Sequence, residues 1–503
     1  MLVTTVSGLF FGCLLATVAL TPAVMAFARK VDAVDRGGYR KVYEGAMPLL
    51  GGLAFATPLV VLGLTASFVG YVVIAKWQYL LIHWPHAFHP LMEFAQSRRD
   101  CLTLALGGAA IVGLGLADDV LGMRAKWKLL GQVVIASGIC LSGYALASLK
   151  LPFFGDLNLG VWLGSAVAVL WIVGLINAFN LIDGIDGLAG GIALIGATAL
   201  FALSFVHDNA FITLVAAAMA GSFLAFLLFN FPPARIFMGD TGSMFIGYSL
   251  ATMTLMGTQK TEAAAILFTP MLALGLPIFE TFVSIARRYL RGVPIFAGDN
   301  RHTHHRLLNR GYSQPRVVLT LYSAAALLAT AAMLSAVMPE NSPWIVLSYA
   351  LYGGTLVYIA WLAGYLRPTA FKITIERRQR NKTYQALGRY AVQCVNGNGA
   401  PEKKQLLLEL CRQELGLEQI QVCVQETEHP LLATQAKTEH APEEELRVKA
   451  SDGRDVRIGY TFRDHPDENR RQEVSFCLAG IFDQVNLGRF EHPGGGPVEG
   501  QTP

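Results

Sequence analysis

The chain is 503 residues long, 53% hydrophobic and 15% charged, with a formal net charge of +4 and a mean hydropathy of +0.43. Soluble domains carry about a quarter charged residues, so this balance argues against a soluble protein, and so small a net charge argues against nucleic acid as a partner. The seven cysteines form no C-x-x-C pair, which leaves buried thiols rather than a disulfide framework or a zinc site.

Apolar blocks of roughly twenty residues, the length that crosses a hydrocarbon core of about 30 Å, recur along the chain. The first, near 3–27, lacks a basic start and a small-residue cleavage site and reads as a retained helix. Further spans are expected near 49–75, 101–117, 129–148, 161–179, 188–205, 211–229, 243–257, 263–286, 317–338 and 343–366, making about eleven. Residues 76–100, with Trp77 and Trp84, read as an interfacial loop, and 150–160 as a short hairpin.

Lys and Arg sort the loops. Sixteen fall after spans one, three, seven and nine, from Arg29 and Lys30 through Arg316. The alternate loops hold five: Lys76, Arg98, Arg99, Lys150 and Lys260. The richer side is cytoplasmic by the positive-inside rule, which puts the amino terminus outside and the carboxyl terminus inside.

Beyond about residue 370 the chain becomes charged. Amphipathic helix patterns near 402–416 and 467–490 and strand-like runs at 419–425, 445–450 and 455–462 predict a cytoplasmic α+β appendage. Asp452-Gly453 suits a tight turn between the last two strands. The expected division is a membrane domain over 1–370, the appendage over 371–490 and a Gly/Pro-rich disordered tail over 491–503.

The polar residues are not spread evenly over the two faces. Asp118 and Asp119 close span three; Asn177, Asn180, Asp183 and Asp186 follow span five. Asp240 lies after span seven, and Arg301, His302, His304 and His305 after span nine. All fall on the cytoplasmic side, where ionisable groups at a membrane edge point to function. Asp and Asn oxygens without Cys suit a hard cation such as magnesium, which binds one or two carboxylates together with substrate phosphates. Arg and His donate charge-assisted hydrogen bonds to phosphate oxygens. Together they indicate phosphoryl transfer, in which positioning and charge neutralisation dominate.

The motifs differ in weight. A lone acidic pair at a helix end is as readily solvation as chemistry, and adjacent helical residues diverge by about 100°, so one carboxylate of the pair faces the site. The run NAFNLIDGIDGLAGG over 177–191 is stronger, because Asn177 and Asn180 share a helix face and Gly184 and Gly187 break the helix beside them. Asp240 between Gly239 and Gly242 also suits a helix cap. Three histidines could mark zinc, but without cysteines and among arginines they favour anion binding. Arg40 and Lys41 fit topology and phosphate contact alike.

In these four motifs, and in DRGGYRKVYEGAMPLLGG over 35–52, the sequence resembles the polyprenyl-phosphate N-acetylhexosamine-1-phosphate transferases. The likeness covers about residues 1–366. Its His-Thr-His-His-Arg-Leu run resembles the bacterial undecaprenyl-phosphate N-acetylglucosamine-1-phosphate branch more than the phospho-MurNAc-pentapeptide branch, whose motif has three consecutive His. The resemblance implies a multi-pass enzyme of the bacterial inner membrane that transfers a sugar-1-phosphate from a UDP-sugar to undecaprenyl phosphate. It implies magnesium, with manganese able to substitute, held by Asn180 and Asp240. Asp118 or Asp119 would orient or deprotonate the lipid phosphate, and Asp183 and Asp186 would form an acidic loop with Asp186 near the uracil. Arg301, His302, His304 and His305 would bind diphosphate or sugar, and Lys128 and Gln132 the lipid phosphate. Direct attack by the lipid phosphate is expected, with an aspartyl-phosphate route and a homodimer left open. A non-enzymatic lipid or anion carrier is the rival class; uncharged mid-spans and the lack of a repeat count against it.

Overall fold

The computed structural model describes residues 2–35, 46–76, 97–146, 148–151, 155–259, 273–291, 302–339 and 342–366. In the carboxy-terminal part it describes 409, 411–413, 415, 417–424, 432–433, 444–449, 455–462, 471, 474 and 478. The chain forms two compact units, residues 1–285 with 298–366, and residues 286–297 with 367–503.

The first unit is helical. In chain order its helices are α1 (Leu2–Lys30), α2 (Gly51–Lys76), α3 (Arg98–Leu121), α4 (Ala125–Leu141), α5 (Gly160–Ile182), α6 (Leu188–Val206), α7 (Ala210–Asn230) and α8 (Gly239–Gln259). There follow α9 (Gly275–Arg291), which runs into the second unit, the short α10 (Thr303–Leu308), α11 (Gln314–Val337) and α12 (Pro343–Leu362). Two small antiparallel pairs join them: β1 (Val34–Asp35) with β2 (Met47–Pro48), and β3 (Ser148–Leu151) with β4 (Gly155–Asn158). The second pair is the hairpin expected over 150–160.

Among the described residues, eight helices are long and apolar enough to cross a membrane: α1, α2 over Gly51–Val69, α3, α5, α6, α7, α11 and α12. Their outer faces carry large apolar side chains in the open, among them Phe11, Leu170, Leu228, Val346 and Trp361. Apolar exposure on this scale needs a lipid solvent. The protein is a multi-pass membrane protein.

Helices α4 and α8 fall on two of the other expected spans, and α9, also 17 residues long, overlaps only the end of the one expected over 263–286, whose start lies outside the described residues; none of the three meets that criterion. Helix α4 has 17 residues. Helix α8 lies at the centre of the bundle against α2, α3 and α5, so its environment is protein rather than lipid. It therefore tolerates Thr241, Ser243, Ser249, Thr252 and Thr254, all buried. Helix α9 turns Phe282 and Ile285 outward and buries Glu280 and Ser284, the inverse of a soluble amphipathic helix.

Glycine lets the central helix be approached closely. A Cβ on Gly115 of α3 would lie 2.5 Å from the Thr241 Cα, and one on Gly52 of α2 would lie 2.2 Å from the Gly242 nitrogen. Gly51 and Gly52 donate to the Phe237 and Met238 carbonyls at 2.9 and 2.8 Å, while Phe237 donates to Pro48 at 2.9 Å. The amino end of α8 is thereby fixed beside the carboxyl end of α3. That placement makes the site.

In the second unit, four antiparallel strands form a sheet in the order β6-β5-β8-β7, from β5 (Leu417–Val424), β6 (Leu432–Ala433), β7 (Glu444–Lys449) and β8 (Asp455–Phe462). Three match the expected runs; β6 was not foreseen. Ile420, Ile458 and Tyr460 are buried, as are Val474 and Leu478, which are helical. The expected turn at 452–453 and the tail over 491–503 lie outside the described residues.

Candidate active site

Four separated stretches meet at one end of the helical bundle. Helix α3 ends at Leu121, and Gly122, at φ +65°, turns the chain toward α4. Asp118 accepts the Met123 N–H at 2.8 Å across this turn, and its other oxygen pairs with the Lys128 ammonium at 2.9 Å. Lys128 also pairs with Asp240. Asp240 in turn accepts a hydrogen bond from the Asn180 amide at 2.7 Å, and the same amide reaches the Ser243 hydroxyl at 3.0 Å. Residues spread over positions 118–243 thus form one bonded cluster.

The Asp118–Asp119 pair divides as helical geometry requires. The Asp119 carboxylate turns to α8, accepting the Asp240 and Thr241 N–H groups at 2.8 and 3.0 Å and the Thr241 hydroxyl at 2.6 Å. Both of its oxygens are engaged in capping that helix. Gly239, at φ +68°, has no room for a side chain, since a Cβ there would lie 2.6 Å from Asp119 Oδ2. Asp240 keeps more side-chain exposure than Asp118, 28% against 13%. The capped helix therefore presents Asp240 outward, with the positive end of its dipole behind it.

One turn deeper, Asn177 donates to Gln132 at 2.7 Å. Gln132 is buried, and its Nε2 has no hydrogen-bond partner. Asn177 thus sits behind the Asn180 tier rather than in it.

The acidic loop after α5 is held from two sides. Buried Asp186 accepts the Ala234 N–H at 3.0 Å. Gly187 donates to Asn230 at 3.0 Å, and the Tyr322 hydroxyl donates to the Gly187 carbonyl at 2.5 Å. Burial, reinforced by the Asp119 and Asp186 charges, pushes the Asp183 carboxyl up to about 7. Its folded value lies above its ordinary 3.8, so between those values the folded state holds more protons than the unfolded one, and stability falls as pH rises toward 7. Asp183→Asn removes this penalty. Thermal melts of the detergent-solubilised protein should show the variant gaining on wild type between pH 5 and pH 8; an equal difference at both would refute the cause.

The histidine motif borders this loop. His304 is buried, and a Cβ on Gly184 would lie 2.4 Å from its Nε2. Its ring lies 4.3 Å from that of His305 and 5.7 Å from that of His302. Burial, and then the neighbouring His305 and His302, hold His304 well below the ordinary imidazole range. Arg40, Lys41 and Arg301 lie outside the described residues.

Thr241, Ser243, Asn230, Tyr322 and Glu280 were not singled out from sequence. Asn230 and Glu280 left a trace, as polar residues at the edge of or within apolar runs. Tyr322 left none, because its partner is 135 positions away.

The Glycosyl transferase family 4 model matches residues 101–258, from α3 through α8. A Bacillus subtilis protein, the probable undecaprenyl-phosphate N-acetylglucosaminyl 1-phosphate transferase, is 37% identical over 62% of this chain and 80% of its own length. The chain belongs to glycosyl transferase family 4. Another family relative, the decaprenyl-phosphate N-acetylglucosaminephosphotransferase of Mycobacterium tuberculosis strain H37Rv, is 32% identical over 69% of this chain and 89% of its own. The phospho-N-acetylmuramoyl-pentapeptide-transferase of Desulforudis audaxviator is 30% identical over 63% and 93%. The match over 101–258 takes in Asp118, Asp119, Lys128, Asn180 and Asp240, the whole bonded cluster of this family member.

The cluster's chemistry fits a divalent cation. Asp118, Asp240 and Asn180 offer hard oxygens, and the Lys128 ammonium already seats a positive charge between two of the carboxylates. Among the described residues no three His, Cys, Asp or Glu side chains form a metal cage. Such a donor set suits a metal completed by substrate phosphates.

Proposed function

We propose that this protein transfers N-acetylglucosamine-1-phosphate from its UDP-sugar to undecaprenyl phosphate and releases UMP. What carries the reading is the joining of Asp118, Lys128, Asn180 and Asp240 into one network at the edge of a membrane bundle. The names of the relatives supply the substrates, and greater identity to the N-acetylglucosamine enzyme, 37% against 30% for the pentapeptide one, favours that branch. The His-Thr-His-His-Arg-Leu run favours it too.

In this reading the chain spans the bacterial inner membrane about eleven times, with the site and the carboxyl terminus cytoplasmic. The lipid phosphate reaches the site from the bilayer and the nucleotide from the cytoplasm. A phosphate monoester loses its second proton near pH 6, so the nucleophile is ionised without a strong base. Its oxygen attacks the sugar-bound phosphorus, and the bond to the UMP oxygen breaks, the electron pair leaving with UMP. Lys128 attracts the incoming phosphate, and Asp118 aims that ammonium. Asp240 and Asn180 would hold magnesium, which supplies charge neutralisation at the diphosphate when bound. His302, His304 and His305, on the segment that packs against Gly184 of the acidic loop, would bind the sugar and diphosphate.

The test is exchange of labelled UMP into UDP-N-acetylglucosamine by membranes containing the protein, with undecaprenyl phosphate present. Magnesium-dependent exchange is expected. No exchange in any divalent cation would favour a carrier and overturn the reading.

A further inference from the structure

Helix α10 has six residues, far fewer than a helix needs to persist alone, yet it carries His304 and His305 and follows His302. Its position must come from side-chain anchors. At its amino end, the Thr303 N–H donates to the Glu280 carboxylate at 3.2 Å, and the Thr303 hydroxyl lies 3.2 Å from the Tyr365 hydroxyl. At its carboxyl end, Arg306 donates to the Ala363 carbonyl at 2.8 Å, and its guanidinium sits 4.4 Å from the centre of the Tyr365 ring. Arg310, one turn on, donates to the Leu362 carbonyl.

Leu362 and Ala363 are the last residue and the cap of α12. Carbonyls at a helix carboxyl end lack intrahelical partners and carry the negative end of the dipole, so arginines are their natural counter-groups. Buried Leu307 adds an apolar anchor. On its other side, α10 sets His304 against Gly184 of the acidic loop. The short helix is therefore a strut between the end of α12 and the loop that carries Asp183 and Asp186.

We propose that Arg306 and Tyr365 are positioning residues, which lock the histidine helix to the end of α12 so that His302, His304 and His305 meet the diphosphate and sugar of the nucleotide. This rests on the proposed transferase reading. Neither residue needs to touch substrate. Tyr365 contributes twice, its hydroxyl at Thr303 and its ring beneath Arg306, and Arg306 joins that ring to the Ala363 carbonyl. A displacement of about 1 Å at a reacting group can cost on the order of a hundredfold in rate, so a loosened strut should be visible in turnover before it is visible in folding.

The test uses the full chain in membranes or detergent, with Arg306→Lys, Arg306→Gln, Tyr365→Phe and Tyr365→Leu. UMP release is measured while UDP-N-acetylglucosamine and undecaprenyl phosphate are varied separately, and Tm is recorded for each variant. Arg306→Gln and Tyr365→Leu are expected to lower kcat/KM for the nucleotide by about tenfold or more, with KM for the lipid phosphate held within about twofold. Tyr365→Phe, which keeps the ring, and Arg306→Lys, which keeps the charge, should recover part of the loss. Variants that lose Tm while the folded fraction keeps wild-type kcat/KM would reduce these residues to structural ones and overturn the proposal. So would a rise in KM for the lipid phosphate as large as that for the nucleotide, or no loss at all. An inactive wild type would instead strike at the transferase reading, which the UMP-exchange test addresses separately.

Discussion

Asp240→Ala is expected to lower UMP release by about a thousandfold, the scale on which phosphoryl transfer depends on charge placed at the diphosphate. Asp240 is where the cluster converges: the Lys128 ammonium and the Asn180 amide both reach its carboxylate, and its own backbone N–H is held by Asp119. Removing the carboxylate takes away the more exposed of the two carboxylates paired with Lys128 and leaves that ammonium paired with Asp118 alone. Fold should survive, because the cap on α8 uses the backbone of residue 240 rather than its side chain. Radiolabelled UDP-N-acetylglucosamine with saturating lipid phosphate reads the rate, and a thermal melt reads the fold. Asn180→Ala should fall in the same direction by a smaller factor, since it removes a neutral amide rather than a charged carboxylate. Should Asp240→Ala keep more than about a tenth of wild-type turnover with normal stability, the site as drawn is wrong.

Much of this arrangement could be read from residue order. Apolar blocks mark spans because lipid and protein interior both select for hydrophobicity, so the helices fall close to the expected ranges. Lipid and buried protein are distinguished by polar content, and there the reading blurs: α8 carries its threonines and serines inside a bundle, and no lipid faces them. Carboxylates and amides at span ends, such as Asp118, Asn180 and Asp240, stand out because their cost in an apolar setting needs a reason. Their division of labour does not stand out. Asp118 and Asp119 are adjacent and chemically alike, and only the crossing of α3 against α8 at Gly115 decides that one carboxylate turns to Lys128 and the other to Thr241. Contacts such as Tyr322 with Gly187, or Glu280 with Thr303, join residues whose sequence neighbourhoods carry no mark of each other.

That division yields the second large effect. Asp119→Ala is expected to lower both stability and turnover, whereas Asp118→Ala should lower turnover with a smaller change in Tm. Asp119 is the shared acceptor for two backbone N–H groups and one hydroxyl at the start of α8. Losing a cap of this kind, which leaves partly buried donors without an acceptor, costs about 1–3 kcal/mol. The same loss frees the first turn of α8 to shift, and with it Asp240, so the rate should fall by roughly a hundredfold even in the folded fraction. Thr241→Val removes the hydroxyl contact and leaves both N–H bonds, so it should reproduce the effect in miniature. Asp118 instead serves the Met123 N–H and Lys128, so its loss falls on how Lys128 is aimed. Melting curves for Asp119→Ala, Thr241→Val and Asp118→Ala, each paired with a UMP-release rate, separate the two roles. If Asp119→Ala melts like wild type while turnover vanishes, its carboxylate acts on substrate directly, and the cap described here is not its purpose.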